Sequence, residues 1–108
     1  MKTVRIKREY FDQINSNLKT LEARIKYPDI QQIEVGQKLK FECGNNSLIR
    51  QVKAIRAYNT IRVMLENEDL EKLLPGIGSK HIALLEYERF YPPWKVASFG
   101  GVLVFELE

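Results

Sequence analysis

Apolar and polar residues alternate with a period of two in three separate segments of this 108-residue chain. These segments cover residues 2–7, 19–26 and 37–43. Successive side chains of a β-strand point to opposite faces of the sheet, so strict alternation favours strands with one buried face. The pattern therefore predicts three half-buried strands and a fold that contains a sheet.

Two further strands are predicted from other signals. The turn Gly-Asn-Asn-Ser at residues 44–47 predicts that the run from Leu48 to Tyr58 pairs back on the preceding strand as a hairpin. The apolar run from Val102 to Leu107 predicts a final strand. Five strands without a linker favour a small, mostly antiparallel sheet that curls toward a β-barrel, because closure covers the edges of a sheet.

Helical segments are predicted between these strands. Apolar residues at helical spacing predict an amphipathic helix over about 8–18. Acidic residues and spaced leucines over 60–74 predict one or two helical pieces, and Ser79 suits the N-cap of a helix over about 80–91. Residues 92–101 are predicted to form a loop with two exposed aromatic residues. The expected fold class is α+β, with helices that flank the sheet of one domain.

Composition excludes several functional classes. Cys43 is the only cysteine and His81 the only histidine, so an internal disulfide is impossible and the usual ligands of a zinc site are too few. We expect a buried Cys43, a surface His81, no metal site and no cofactor. The chain has no apolar run near the roughly 18 residues of a membrane span, and its first residues lack the apolar stretch of a signal peptide. A cytoplasmic protein without a membrane partner is therefore expected.

Charge is distributed unevenly along the chain. Residues 1–62 hold thirteen Lys or Arg against six Asp or Glu, whereas residues 63–108 hold four against eight. This division predicts a basic patch and a separate acidic surface. The alternative is that folding mixes the two halves into an ordinary surface.

Residues 19–26 combine the alternation with a high density of charge. One face of the predicted strand carries Leu21, Ala23 and Ile25, and the other carries Thr20, Glu22, Arg24 and Lys26. An arginine beside a glutamate can be held in one plane for bidentate contact with a phosphate. The carboxylate of Glu22 suits a general base or a hydrogen-bond acceptor. The alternative is a Glu–Arg pair on a solvated strand, worth well under about 1 kcal/mol.

Aromatic and basic residues also lie together near the Pro-Pro segment. Tyr91 and Trp94 stand beside Arg89 and Lys95, a combination that can stack a nucleobase while the cations contact phosphate. The alternative is that Trp94 covers one end of the barrel. Further cations lie on the predicted hairpin strands and would extend a phosphate track, namely Lys38, Lys40, Arg50, Lys53 and Arg56.

Five segments, in their order along the chain, resemble the ASCH domain. They are LKTLEARIK at 18–26, VGQKLKF at 35–41, a Leu-Leu-Pro helix, YERFYPP at 87–93 and GGVLVFEL at 100–107. The family signature is similar to Gly-x-Lys-Thr-x-Glu-x-Arg, which Lys19, Thr20, Glu22 and Arg24 match. Asn17 stands where glycine is usual, and asparagine tolerates a left-handed turn better than most residues.

The resemblance implies a PUA-like fold, a small β-barrel flanked by helices, in a single ASCH-like domain that spans residues 1–108. It also implies an RNA-related function with a cleft beside the signature. The first hypothesis is a module that binds RNA, a nucleotide or a nucleoside. Its expected binding residues are Lys19, Thr20, Glu22, Arg24, Lys26, Arg56, Trp94 and Lys95.

The second hypothesis is a small hydrolase that uses the same cleft, either a ribonuclease or an amidohydrolase that deacylates acetylated cytidine. Lys19 and Glu22 would then be the catalytic acid and base. Lys19 matches the lysine of the amidohydrolase members, whereas Glu22 stands near the position of their threonine, which favours binding over catalysis. A third hypothesis is a protein interaction through the acidic helices at 60–74, although the sequence identifies no protein partner.

Overall fold

The computed structural model describes residues 1–108 and contains one curled five-stranded sheet. Its strands are β1 (Lys2–Arg5), β2 (Leu21–Ile25), β3 (Lys38–Cys43), β4 (Asn46–Tyr58) and β5 (Val102–Leu107). They lie in the order β1-β3-β4-β5-β2, and only the β1–β3 pair is parallel. The predicted α+β class and mostly antiparallel sheet are confirmed. The sheet forms a half-barrel, because β1 and β2 remain as its two edges.

Five helices cover this sheet. They are α1 (Arg8–Asn15), α2 (Ile61–Asn67), α3 (Leu70–Leu73), α4 (Lys80–Phe90) and α5 (Pro93–Ser98), and a 3-10 turn spans Ile30–Gln32. The Ser79 hydroxyl accepts a hydrogen bond from the Ile82 amide at 3.1 Å, which confirms the predicted N-cap of α4. None of the helices is both long and apolar enough to cross a lipid bilayer.

Three local predictions were wrong. Residues 92–101 were expected as a loop but contain α5, because a proline at the first helical position lacks only an amide that would be unpaired there, and its φ suits a helix. Helix α1 ends at Asn15, so Leu18 lies outside it and is exposed. Cys43 is half-buried at the end of β3, although a buried side chain was expected, whereas His81 is exposed as predicted.

Strand β5 explains why the last apolar run is unbroken. Val102 and Val104 pack with the helices, whereas Leu103 and Phe105 belong to the core inside the curled sheet. A strand covered on both faces needs apolar residues at successive positions. The two hydrophobic cores of the protein therefore meet at β5.

Candidate functional site

Strand β2 places the charged residues of the motif at an edge of the sheet. Glu22 pairs with Phe105 of β5, and Arg24 pairs with Leu103. Residues directly opposite each other in an antiparallel pair project to the same face. Glu22 and Arg24 therefore face the inside of the half-barrel, at the opening beside β1. The turn before β2 contains Asn17, whose φ of 65° lies in the left-handed region, as expected from the glycine of the signature.

Lys19, Glu22 and Arg24 form one ion-paired group, which we call the motif cluster. Arg24 Nε and Nη2 lie 2.9 and 2.8 Å from Glu22 Oε2, and Lys19 Nζ lies 3.4 Å from Oε1. Glu22 is only 7% exposed and Lys19 only 3%. One nearly buried carboxylate is therefore held between two cations, so the alternative of a solvated strand face is wrong.

The buried ammonium group of Lys19 holds the Glu22 carboxylate in place. Its ammonium group donates to the carbonyl oxygen of Leu21 at 2.7 Å and to that of Leu73, at the end of α3. The third contact of the ammonium group is the ion pair with Glu22 Oε1. Burial lowers the pKa of Lys19, although the charge of Glu22 acts in the opposite direction. Lys19 thus links β2 to α3, and its ammonium group is held within the protein.

Arg24 bridges the opening between the two edge strands. Its Nη2 donates to the carbonyl oxygen of Arg5, the last residue of β1, at 2.9 Å. Burial alone would lower the pKa of Arg24, but the Glu22 carboxylate outweighs it and raises the pKa above its usual range. Nη1 has no acceptor within the protein. Arg24 therefore remains charged and has two N–H groups available.

Glu22 remains ionised despite its burial. Desolvation raises its pKa, but the charges and hydrogen bonds of Arg24 and Lys19 together lower it below its usual range. An ionised carboxylate is a hydrogen-bond acceptor only. Glu22 thus presents an acceptor at the edge of the sheet.

A cleft of about 220 Å³ lies over the motif cluster. Its lining comes from β1, β2, α1, the segment after α3, and α4, and comprises Arg5, Ile6, Lys7, Tyr10, Lys19, Glu22, Ala23, Arg24, Leu74, Glu86, Tyr87, Phe90 and Tyr91. The wall opposite β2 is aromatic. Tyr87 and Tyr91 stack with their ring centroids 6.0 Å apart, and Tyr91 donates to the carbonyl oxygen of Ala23 at 2.8 Å. This hydrogen bond fixes the end of α4 against β2.

Two unpaired cations, Arg5 and Lys7, stand in the lining of the cleft. Both are exposed, and neither has a carboxylate within 4.0 Å. Lys7 Nζ lies 3.9 Å from the centroid of the Phe90 ring. The lining holds four basic side chains and two acidic ones, and one of the acidic ones, Glu86, pairs with Arg89 at 3.1 Å. The cleft therefore favours an anionic ligand.

The other residues predicted to bind nucleic acid lie elsewhere. Thr20 and Arg56 line a separate depression of about 320 Å³. Trp94 is 69% exposed on α5, so it does not cover the end of the barrel. Lys95, its neighbour, lies over the ring of Tyr27 at 5.5 Å, and Lys26 follows the last residue of β2. The structure brings Lys19, Glu22 and Arg24 together and leaves these five residues outside the cleft.

Several cleft residues were given no role from the sequence. Arg5, Lys7 and Glu86 carry no local signal, because only the fold brings β1 and α4 to the motif. Tyr91 was predicted to stack a nucleobase, and it does line the cleft. Tyr87 and Phe90 had a local signal: Tyr87 lies three positions before Phe90 and four before Tyr91, a spacing that puts the three rings on one face of a helix. The predicted separation of basic and acidic surfaces holds only in part, because Arg56 pairs with Glu68 and Glu106 of the acidic half.

Comparison with known proteins supports the fold. No protein-family model matches the chain, and no curated protein matches it. Among solved structures, the hypothetical protein PH0355 is 33% identical and superposes with a TM-score of 0.90 over 100% of this chain and 98% of its own. Protein PF0455 from Pyrococcus furiosus is 36% identical, with a TM-score of 0.78 over 99% of this chain and 94% of its own.

A third structure carries the name of the domain. A mutant of the ZmASCH protein from Zymomonas mobilis is 16% identical and superposes with a TM-score of 0.67, over 98% of this chain and 66% of its own. At that identity the likeness concerns the fold. The chain therefore belongs to the same family as PH0355 and PF0455, and it has the PUA-like fold of the ASCH domain.

Proposed function

We propose that the cleft over the motif cluster binds one nucleotide unit of RNA, or a free nucleotide. One observation carries this proposal. An ionised Glu22 and an Arg24 with a free Nη1 lie at the floor of a cleft that also has an aromatic wall and two unpaired cations. Recognition of single-stranded RNA commonly combines these three elements: aromatic surfaces for bases, cations for phosphates and polar groups for base edges.

The charge distribution supports a phosphate position near Arg5 and Lys7. Both cations are exposed, so they can contact a phosphate without being withdrawn from a carboxylate. Arg24 Nη1 would provide further N–H donors on the inner side. A phosphate could not occupy the floor itself, because the nearly buried Glu22 carboxylate would repel it.

Hydrolysis on the same cleft has less support. A general acid or base works best with a pKa near the operating pH, whereas the pKa of Glu22 is lowered. The ammonium group of Lys19 is buried, donates to two backbone carbonyls and is ion-paired with Glu22. These two residues are better suited to shape the floor than to transfer protons. The ribonuclease and acetylated-cytidine amidohydrolase activities remain the alternative.

The proposed location is the cytoplasm, and this proposal rests on the sequence alone.

The proposal is tested by titrating a fluorescently labelled single-stranded RNA with the parent and with an Arg5→Ala, Lys7→Ala double variant. Both side chains are exposed, so the fold is expected to survive their removal. We expect weaker binding at about 50 mM salt and a log–log salt slope that is smaller by about 0.7 for each phosphate that the variant no longer neutralises.

The matched control is an Arg62→Ala, Lys80→Ala double variant, which removes an exposed arginine and an exposed lysine outside the cleft. Equal binding by the parent and the double variant at low salt would reject the proposal. Incubation of the same RNA, and of acetylated cytidine, with the parent and with Glu22→Gln tests the alternative. Turnover that the parent shows and that Glu22→Gln lacks, while its circular-dichroism spectrum remains that of the parent, would favour a hydrolase.

A further inference from the structure

The hydroxyl group of Tyr87 is buried without a hydrogen-bond partner in the protein. Tyr87 lies on α4, is 6% exposed and lines the cleft over the motif cluster. Buried hydroxyl groups nearly always have a partner, because leaving one unpaired is unfavourable. The other tyrosines of this wall do have one: Tyr91 donates to the Ala23 carbonyl at 2.8 Å, and Tyr10 lies 3.5 Å from Glu86 Oε1.

The surroundings of this hydroxyl keep it protonated. Burial raises the pKa of Tyr87 well above its usual value, and the negative charge of Glu22 raises it further. The phenol is therefore an O–H donor at neutral pH. The Glu22 carboxylate, which belongs to the same cleft lining, is an acceptor only. Tyr87 and Glu22 both line the cleft, so its lining includes one hydroxyl donor and one anionic acceptor.

We propose that the Tyr87 hydroxyl, together with Glu22, reads the hydrogen-bonding edge of a nucleobase that enters the cleft base first. This inference rests on the proposed function and adds the orientation of the nucleotide in the cleft. A base edge carries an N–H donor beside a carbonyl or ring-nitrogen acceptor, which complements Glu22 and the Tyr87 O–H. A phosphate has acceptors only, and the Glu22 carboxylate would repel it. The base therefore lies inside, and the phosphate remains near Arg5 and Lys7.

The test is Tyr87→Phe, which removes only the hydroxyl. Binding is measured by fluorescence anisotropy with two labelled oligomers of equal length, one with bases and one abasic. The variant is expected to bind the base-carrying oligomer about tenfold more weakly, which corresponds to one hydrogen bond, and the abasic oligomer as the parent does. The melting temperature of the free variant is expected to equal or exceed that of the parent, because the hydroxyl makes no hydrogen bond within the protein.

The matched control is Tyr58→Phe, outside the cleft, whose hydroxyl donates to Glu68. It is expected to lower the melting temperature and leave binding unchanged. The inference is overturned if Tyr87→Phe binds both oligomers like the parent, binds both equally more weakly, or melts at a lower temperature. If the parent binds neither oligomer, the proposed function fails first and the inference with it.

Discussion

The protein contains two clusters built around an arginine and a glutamate, and they differ in the ratio of cations to carboxylates. In the motif cluster, Lys19 and Arg24 share the single carboxylate of Glu22. In the second group, which we call the Arg56 cluster, Arg56 lies between the carboxylates of Glu68 and Glu106. Both arginines lie on strands of the same sheet.

The Arg56 cluster uses its guanidinium completely. Nε and Nη2 donate to Glu68 at 2.6 and 2.9 Å, and Nη1 donates to Glu106 at 3.0 Å. The Tyr58 hydroxyl also donates to Glu68, and Lys53 lies 3.7 Å from Glu106. This cluster joins β4, β5 and the end of α2. Each of the three guanidinium nitrogens of Arg56 donates to a carboxylate of the protein.

The motif cluster differs because it has positive charge left over. Arg24 Nη1 has no acceptor, and the two further cations of the cleft, Arg5 and Lys7, have no carboxylate near them. An arginine whose donors are saturated stabilises the fold, whereas one with free donors beside a cleft can also contact a ligand. The number of available carboxylates thus separates a structural cluster from a candidate binding site.

The largest expected effect is on stability, from Glu22→Gln. This change leaves Lys19 buried without its counter-ion, so we expect the free energy of unfolding to fall by about 3 kcal/mol. Glu106→Gln is the matched change in the Arg56 cluster, where the side chain is 31% exposed, and it is expected to cost within about 1 kcal/mol. Urea denaturation measures both. Equal losses of stability would show that the two clusters contribute alike.

The second effect is the pH dependence of the stability that the parent has over Glu22→Gln. Because the folded pKa of Glu22 is lowered, its ion pairs stabilise the protein above the unfolded pKa of 4.5 and lose this contribution as pH falls through the folded pKa. The gap in unfolding free energy between the parent and Glu22→Gln should therefore be largest near pH 7 and shrink below pH 4.5. Thermal unfolding from pH 7 to pH 3 measures it. A gap that widens on acidification would contradict the lowered pKa.

The smallest effect on stability is expected from Trp94→Ala. Trp94 is 69% exposed, so its removal should change the free energy of unfolding by within about 0.5 kcal/mol. Its sequence-based role in stacking a nucleobase remains a prediction. Weaker binding of an RNA of several nucleotides, with a single nucleotide unaffected, would extend the binding surface from the cleft to α5. Unchanged binding of both ligands would confine it to the cleft.

Much of the fold follows from local pattern. Alternation predicted β1, β2 and β3 to within two residues at each end, because burial of one face is encoded in successive positions. The resemblance also predicted Lys19, Glu22 and Arg24 as one site. Arg56 was wrongly expected in the same cleft, because the sequence around a basic residue on a strand does not show which carboxylates it will pair with. Glu68 lies twelve residues away and Glu106 fifty residues away, and only the packing of α2 and β5 brings them to it.

The local alternation alone was enough to separate Leu21, Ala23 and Ile25 from Glu22 and Arg24, because the period of a strand assigns them to opposite faces. Whether the charged face meets water or a cleft was decided by long-range contacts. Lys19 is buried because the carbonyl of Leu73, 54 residues away, accepts from its ammonium group. Arg24 is held because the curl of the sheet brings the carbonyl of Arg5 within 2.9 Å. The aromatic wall exists only once α4 packs beside β2, where Tyr91 donates to the Ala23 carbonyl.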